Sequence, residues 1–235
     1  GSPLFYVFLF LIGSIAILIR TFRSRSKADF LTHVPIYLVG ACSVLPVLSV
    51  IATKSIIYTD NRQMYFCYPA LLLISVYGLA ALLGFLKQKI AHWQFAAALI
   101  ILAGLAYPVY FTIRYHPHQN VYFNILAGSS MSVIKERFGL DGWALSTRQG
   151  LEYLLEHNPD GVIRVSSFEG RDFYYLDFKT LTPEQRERFV VDDENPRYII
   201  TTYRYYPEKQ VETGEEYYSI MVGDAPIMTI YKVGP

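Results

Sequence analysis

The stretch "WQFAAALIILAGLAYPVYFTI" at residues 93–113, followed by "RYHPHQNVYFNILAG" at residues 114–128, marks a sharp change in the character of the chain. The first part contains no Asp, Glu, Lys or Arg, whereas the second is rich in imidazole, amide and phenol side chains. A bilayer core about 30 Å thick needs roughly 20 apolar residues in a helix, so residues 93–113 are long enough to cross it. The stretch therefore predicts a membrane helix that ends where a polar domain begins.

Three further runs without Asp, Glu, Lys or Arg lie nearer the N-terminus, at residues 3–19, 34–53 and 64–86. They raise the overall composition to 52 % apolar and only 17 % charged residues, an apolar share above that of most soluble domains. No basic segment precedes the first run and no small-residue cleavage pattern ends it, which favours a retained helix over a secretory signal. Four helical spans are expected within residues 1–115, followed by a separate domain at residues 116–235.

Charge divides the chain at the same place. Residues 1–115 hold nine Lys or Arg and two acids, a formal charge of +7, whereas the remainder holds 12 basic and 18 acidic residues, a formal charge of −6. Because Lys and Arg are retained on the cytoplasmic side, the basic loops "RTFRSRSK" and "KQK" place the domain after residue 113 outside the cytoplasm. The predicted location is the cell inner membrane, and no basic run among aromatics suggests a nucleic-acid partner.

Small residues within the spans are predicted to pack rather than react. Gly78 and Gly84, with Ala80 and Ala81, give the third span a small-residue surface suited to close helix contact. The only cysteines, Cys42 and Cys67, both lie inside apolar runs, which excludes a disulfide framework and favours a packing role.

Two helices are predicted in the second half. Ser146 and Gln149 have capping-box spacing ahead of an amphipathic helix at residues 147–157. Thr182, followed by a proline and by Gln185 at capping-box distance, opens a second helix that carries "EQRERF".

Short strands alternate with these helices. They are predicted at residues 162–166 and 197–203, and in a C-terminal hairpin with the arms "YYSIMV" and "PIMTIYKV". The predicted fold class is thus a polytopic α-helical membrane region of four spans followed by a small extracytoplasmic α/β domain with a mixed sheet.

The polar stretch after the last span has two physical interpretations. Amphipathic rings at a bilayer edge form an aromatic belt. Rings interleaved with amides are also how proteins bind sugars, by stacking and hydrogen bonds. The rings are Tyr115, Tyr122 and Phe123, and the amides are Gln119, Asn120 and Asn124.

Metal and cofactor chemistry has no sequence signal. His116 and His118 are close together, but no acid or cysteine at ligand spacing completes a metal site, and solvated or interfacial histidines are expected. No phosphate loop, nucleophile elbow or dinucleotide fingerprint occurs in the sequence, so no cofactor is predicted.

The run "HPHQNVYFNILAG", followed by "GLDGWALSTRQGLEYL", resembles the segment after the last span in bacterial polytopic glycosyltransferases of the GT-C superfamily. That superfamily includes protein O-mannosyltransferases and lipid A aminoarabinose transferases, which usually read "HPYQNVYFN", two glycines and then "DYWG". This chain has His118 in place of the Tyr, Ser129 in place of the second Gly, and "DGWA" in place of "DYWG". The stretch "DNRQMYFCYPALLLISVYGLA" resembles a late span of such enzymes. The substrate-binding residues implied by the resemblance are Arg62, His116, Gln119, Asn120, Tyr122, Asn124 and Trp143.

The resemblance implies transfer of a sugar from a polyprenyl-phosphate carrier to a protein, lipid or glycan acceptor outside the cytoplasm. Arg62 is expected at the extracytoplasmic mouth of its span, where a guanidinium can pair with the lipid-linked phosphate. Relatives carry their catalytic carboxylate in the first extracytoplasmic loop, but the only acids before the domain are Asp29 and Asp60. No catalytic residue is therefore assigned. The chain is expected to be the C-terminal part of a transferase with further N-terminal membrane helices.

Two other functions stay open. A non-catalytic, membrane-tethered binding or assembly module would present the α/β domain to a partner enzyme. An independent hydrolase has less support, because Ser166, Ser167 and Asp172 lack a credible histidine partner in the sequence.

Overall fold

The computed structural model describes residues 2–24, 26–56, 61–168, 178–204 and 214–234, with the backbone alone for Asn61 and Arg62. The chain divides into two compact units, Ser2–Val109 and Tyr110–Pro235. The predicted boundary at residues 115 and 116 lies a few residues further along, so the last turn of the fourth long helix belongs to the second unit.

The first unit is helical. Four of its helices are long and apolar enough to span a membrane. The short helix α2 (Lys27–Thr32), which the sequence did not predict, connects the first two of them. The four long helices are α1 (Leu4–Arg23), α3 (Val34–Thr53), α4 (Tyr68–Lys89), which a 3₁₀ helix at Asn61–Cys67 precedes, and α5 (Trp93–Arg114).

Helices α1 and α4 make the closest contact in this unit, at two glycines. A methyl group added to Gly78 would lie 2.0 Å from the Leu9 carbonyl oxygen, and one added to Gly13 would lie 2.2 Å from the Ile74 carbonyl oxygen. Ser75 supports the contact by donating a hydrogen bond to the Tyr6 carbonyl oxygen at 2.9 Å. Only residues without a side chain allow two helix backbones to come so close.

Gly84 does not share this role. Among the described residues nothing lies within 4 Å of a methyl group placed on it, so the close helix contact made at Gly78 does not extend to Gly84. Large apolar side chains also face outward on each long helix, including Leu18, Ile51, Val76 and Leu102. Such helices are compatible with a lipid environment, in which outward apolar side chains are solvated by acyl chains.

The second unit begins with the last turns of α5 and contains three helices and five strands among its described residues. The helices are α6 (Met131–Phe138), α7 (Thr147–His157) and α8 (Pro183–Glu187), and a 3₁₀ turn lies at Gln119–Val121. The strands are β1 (Ile163–Ser167), β2 (Phe189–Val191), β3 (Tyr198–Thr201), β4 (Glu215–Val222) and β5 (Ala225–Lys232).

The strands form one mixed sheet with the order β2-β1-β3-β5-β4. Strand β1 is parallel to both β2 and β3, so that Val165 lies between Val191 and Tyr198. Strand β5 is antiparallel to β3 and to β4, which confirms the C-terminal hairpin. The predicted α/β region with a mixed sheet is therefore present.

Helix capping follows the sequence at one helix and departs from it at another. At α8 the Thr182 hydroxyl accepts a hydrogen bond from the Gln185 amide, and the Gln185 side chain accepts one from the Thr182 amide, which completes the capping box. At α7 the Ser146 side chain makes no cap, because its hydroxyl donates to Asp141 instead. The capping box predicted for Ser146 and Gln149 is therefore wrong, although α7 has the predicted bounds.

One further prediction was wrong in part, and one helix was not predicted. The stretch "EQRERF" does not stay helical to its end, because α8 stops at Glu187 and Phe189 begins β2, paired with Ile163 of β1. Helix α6 was not predicted at all. Its first turn is capped by the Ser130 side chain and by Asp224, whose carboxylate accepts hydrogen bonds from the backbone of Met131 at 2.8 Å. Burial opposes ionisation of Asp224, but hydrogen bonds from Ser132 and from Met131 outweigh it and lower the pKa of the carboxyl group.

The core of the second unit lies between the sheet and helices α6 and α7. Leu151 and Leu154 of α7 are fully buried, and Gly150 lets the helix approach Met228 on β5, where a methyl group would meet the Met228 side chain at 2.5 Å. Phe111, in the last turns of α5, is part of the same buried cluster. The segment that follows α5 is thereby anchored in the core of the α/β domain.

Candidate functional site

The candidate site is the polar segment that follows α5. It folds back beside the last turns of that helix, because the Tyr122 ring packs edge-on against the Phe111 ring with centroids 5.3 Å apart. Tyr115 also contacts Phe111, at 4.8 Å between ring centroids. Val121 has no exposed surface and holds the segment in the core. Packing of these apolar groups leaves the polar side chains of the segment to find partners at its edges.

His116 and Gln119 bond to each other at the exposed edge. The Gln119 amide nitrogen lies 2.6 Å from His116 Nδ1, and it makes a longer hydrogen bond of 3.4 Å to the Thr112 carbonyl oxygen on α5. Both predicted substrate-binding residues therefore lie together, at the C-terminal end of the fourth long helix. Their contact fixes the first turn of the segment.

Asn120 reaches a second loop. Its amide nitrogen donates to Asp141 Oδ1 at 2.9 Å. Asp141 is 1 % exposed, and its carboxylate also accepts hydrogen bonds from the Leu145 amide at 3.1 Å, the Ser146 amide at 2.8 Å and the Ser146 hydroxyl at 2.5 Å. A buried carboxylate needs such donors, because an unpaired charge away from water is costly. Asp141 therefore joins the segment after α5 to the loop and helix around residues 141–149.

His118 makes a second connection between the same stretches. It is buried, contrary to the expected solvated or interfacial position, and its Nε2 lies 2.7 Å from Gln149 Oε1. Because the Gln149 carbonyl oxygen can only accept, His118 donates from Nε2. Gln149 in turn donates to the Tyr218 hydroxyl on β4 at 3.0 Å. A continuous polar chain thus runs from the segment through α7 to the edge of the sheet.

The remaining predicted residues have different positions. Asn124 is half-buried, and its side-chain Oδ1 accepts a hydrogen bond from the Leu126 amide at 3.0 Å. Trp143 is 51 % exposed, in the loop that Asp141 organises. The side chain of Arg62, like the whole of Asp60 and Asp172, lies outside the described residues.

Sequence reasoning missed a buried amine in the same unit. Lys135 of α6 is 8 % exposed, and its ammonium lies 3.2 Å from the centre of the Tyr203 ring. Burial lowers the pKa of Lys135 to about 8 and, together with the nearby Tyr231 hydroxyl, raises the pKa of Tyr203. The Tyr203 hydroxyl donates to the buried Thr229 at 2.7 Å. No sequence pattern predicts the contact between Lys135 and Tyr203, because the two residues are far apart in the sequence.

The chemistry available to the site follows from these contacts. Within the described ranges no group of three or more His, Cys, Asp or Glu residues could hold a metal ion. The segment offers imidazole and amide groups and the loop of Trp143 offers an indole ring, which suit a hydrogen-bonding and stacking role toward a polar ligand. The Asp141 carboxylate accepts four hydrogen bonds from within the protein, so its role is to organise the loops.

A scan against protein-family models and searches of curated proteins and of solved structures each found no match to this chain.

Proposed function

We propose that this chain is the C-terminal part of an integral-membrane glycosyltransferase that moves a sugar from a polyprenyl-phosphate carrier to an acceptor outside the cytoplasm. The acceptor is a protein, a lipid or a glycan. In this proposal the long helices and the α/β domain both belong to the transferase, which lies in the cell inner membrane. The catalytic carboxylate comes from a part of the enzyme that these 235 residues do not include.

One observation carries the proposal. A hydrogen bond between Asn120 and Asp141, which are 21 residues apart in the sequence, joins the two stretches that resemble GT-C enzymes. His118 and Gln149, 31 residues apart, join them again. Residues that the resemblance links only through sequence thus form one hydrogen-bonded unit beside the end of α5. Such a unit can hold the exposed His116 and Trp143 in fixed positions for a ligand.

The proposed roles follow from the chemistry of a lipid-linked sugar. The guanidinium of Arg62 pairs with the phosphate, for which its planar fork of donors is well suited. The His116 imidazole and the amides of Gln119 and Asn124 bind sugar hydroxyls, and the Trp143 ring stacks on the sugar face. Asn120 and Tyr122 hold the segment in place.

The test is sugar transfer by the native enzyme. An antibody raised against residues 130–235 identifies the native product, and we expect a band well above the 26.9 kDa of this chain. The enzyme purified from those membranes is then supplied with radiolabelled polyprenyl-phosphate hexoses and pentoses. The Arg62→Ala and Asn124→Ala variants should lower transfer at least tenfold, about 1.4 kcal/mol in transition-state stabilisation, with normal amounts in the membrane.

Asn195→Ala is the matched control. Asn195 is an exposed asparagine in the loop before β3, and its replacement should leave transfer unchanged. Equal transfer per molecule by the Asn124 and Asn195 variants would contradict the assignment of Asn124. Absence of transfer with every carrier tested would contradict the proposed glycosyltransferase activity.

The second candidate is a membrane-tethered binding or assembly module. It is favoured because the side chains of Gln119, Asn120 and Asn124 each hydrogen-bond to another group of the protein. This alternative expects a native product of the size of this chain and no transfer with any carrier. It also expects a partner protein to co-purify with the membrane-extracted product.

A further inference from the structure

A tight turn in the candidate segment presents two large apolar side chains to the outside. The Ala127 amide donates to the Asn124 carbonyl oxygen at 3.0 Å, and the Leu126 amide donates to the Asn124 side chain at 3.0 Å. Ile125 and Leu126 are the two central residues of this turn. They are 69 % and 78 % exposed. We call them the Ile125-Leu126 tip.

The composition of this tip is unusual for a turn in water. Central positions of tight turns usually hold Gly, Pro, Asn, Asp or Ser, which suit the backbone and are well hydrated. Here both positions carry branched aliphatic side chains, and Asn124 alone supplies the turn-forming group. Each exposed aliphatic side chain leaves favourable burial unrealised.

The flanks of the tip are fixed in the fold. Phe123 stacks on Phe138 of α6 at 5.7 Å between ring centroids, and Ala127 packs against the core. A methyl group on Gly128 would meet the Ile134 side chain at 2.8 Å, so the chain beyond the turn lies tightly on α6. The tip therefore projects from a rigid base, and its exposure is a property of the fold.

The position of the tip points to lipid as its partner. The contact between Tyr122 and Phe111 brings the chain back beside the last turns of α5, a helix long and apolar enough to span a membrane. Tyr110 and Ile113 of those same turns are also exposed, at 56 % and 75 %. Exposed apolar side chains therefore occur both on the last turns of α5 and on the tip, which follows them closely in the chain.

We propose that the Ile125-Leu126 tip inserts into the boundary between the headgroups and acyl chains of the membrane that α5 crosses. Apolar side chains on an otherwise polar segment bind at this depth, since the rings and amides nearby are satisfied by the wet interface. The inference rests on the spanning of a membrane by the long helices, which the proposed function also assumes. It does not require sugar transfer.

The experiment labels single cysteines in the full chain, reconstituted into phosphatidylcholine vesicles. Cys42 and Cys67 are first replaced by Ala, and Leu126→Cys then carries an environment-sensitive nitrobenzoxadiazole probe. Quenching is measured with lipids that bear a nitroxide near the headgroup end of the acyl chain, and with iodide in the water. We expect blue-shifted emission, strong quenching by the lipid nitroxide and several-fold weaker quenching by iodide than at an aqueous site.

Two control sites in the same background make the result decisive. Val190→Cys places the probe on an exposed valine of β2, among charged residues that lipid excludes, and should be quenched by iodide. Leu102→Cys places it on the outward side of α5, where lipid quenching reports that the helix spans the membrane.

Lipid quenching at Leu102 together with iodide quenching at Leu126 would overturn the tip inference and leave the membrane premise intact. Equal lipid quenching at Leu126 and Val190 would do the same. A Leu126 probe shielded from both quenchers would show that protein covers the tip and would overturn it as well. An aqueous probe at Leu102 would remove the shared membrane premise, and the tip insertion with it. Sugar transfer is measured separately, so failure of the proposed enzyme activity is distinguishable from each of these results.

Discussion

The substitution Asp141→Ala tests most directly how the candidate segment is held together. Asp141 accepts four hydrogen bonds, and two of their donors, the amide and hydroxyl of Ser146, belong to a residue with no exposed surface. Each buried donor left without a partner costs about 1–3 kcal/mol. Asn120 and Leu145 are exposed residues, so we expect water to replace Asp141 as the partner of their donors, and these two hydrogen bonds add little to the cost.

The expected cost of Asp141→Ala is therefore about 4 kcal/mol in the free energy of unfolding of the second unit. For a unit of this size such a loss lowers Tm by roughly 12–16 °C. In Asp141→Asn one side-chain oxygen still accepts hydrogen bonds from two of the four donors, whereas the new amide group faces the other two donors and cannot accept from them. We therefore expect about half the loss of stability caused by Asp141→Ala. Asn120→Ala removes one exposed hydrogen bond and should cost less than about 1 kcal/mol.

The assay is thermal unfolding of the full chain in detergent, followed by intrinsic fluorescence. With Trp93 replaced by Phe, Trp143 is the only tryptophan and reports from the loop that Asp141 organises. The expected order of melting temperatures is wild type, Asn120→Ala, Asp141→Asn and Asp141→Ala. A melting temperature of Asp141→Ala within about 2 °C of wild type would refute the reasoning, because two buried donors would then carry no measurable cost. Equal losses for Asn120→Ala and Asp141→Ala would refute it too.

The remaining predictions concern a helix contact and a buried amine. Gly78→Leu should separate α1 from α4, since even a methyl group at Gly78 would lie 2.0 Å from the Leu9 carbonyl oxygen. Gly84→Leu is the control, because no described residue lies within 4 Å of a methyl group at that position. The melting temperature of each variant in detergent checks this, and equal losses for the two variants would contradict it. Because burial lowers the pKa of Lys135 to about 8, the unfolded chain binds more protons than the folded one from pH 8 to 10.5, so stability should rise with pH over that interval. After allowance for partial solvent screening the gain over the whole interval is about 2 kcal/mol. The difference in melting temperature between wild type and Lys135→Met from pH 7 to 10.5 measures this gain. A constant difference would argue against a charged, desolvated Lys135 at pH 7.

The four long helices could be predicted from the sequence because their signal is local. An uncharged apolar run of some 20 residues has one way to satisfy its backbone in lipid, and α3 has the bounds that its run predicted. The capping box at Thr182 and the hairpin of β4 and β5 were equally readable, since the groups that form them are neighbours along the chain. Composition and spacing were sufficient wherever partners lie within a few residues of each other.

The candidate site depended on contacts between distant residues. Ser146 has the right spacing for a helix cap, but its hydroxyl bonds to Asp141, and Gln149 bonds to His118 and Tyr218 instead of closing a capping box. A hydroxyl or an amide has several possible partners, and only tertiary packing decides which of them is near. Strand β2 shows the same effect, because pairing with β1 overrode a local preference for helix at Phe189.

The sequence by itself thus determined that this protein has four membrane-length apolar helices and an α/β domain, because hydrophobic runs and short-range patterns carry that information. The tertiary structure decided which polar groups of the segment after α5 are buried, which are bonded and which face outward. His118 became a core residue, Asp141 became the link between two loops, and Ile125 and Leu126 were left exposed on a fixed turn. Burial and hydrogen-bond partners depend on the whole fold, since each polar group must find its partner among residues that only folding brings close.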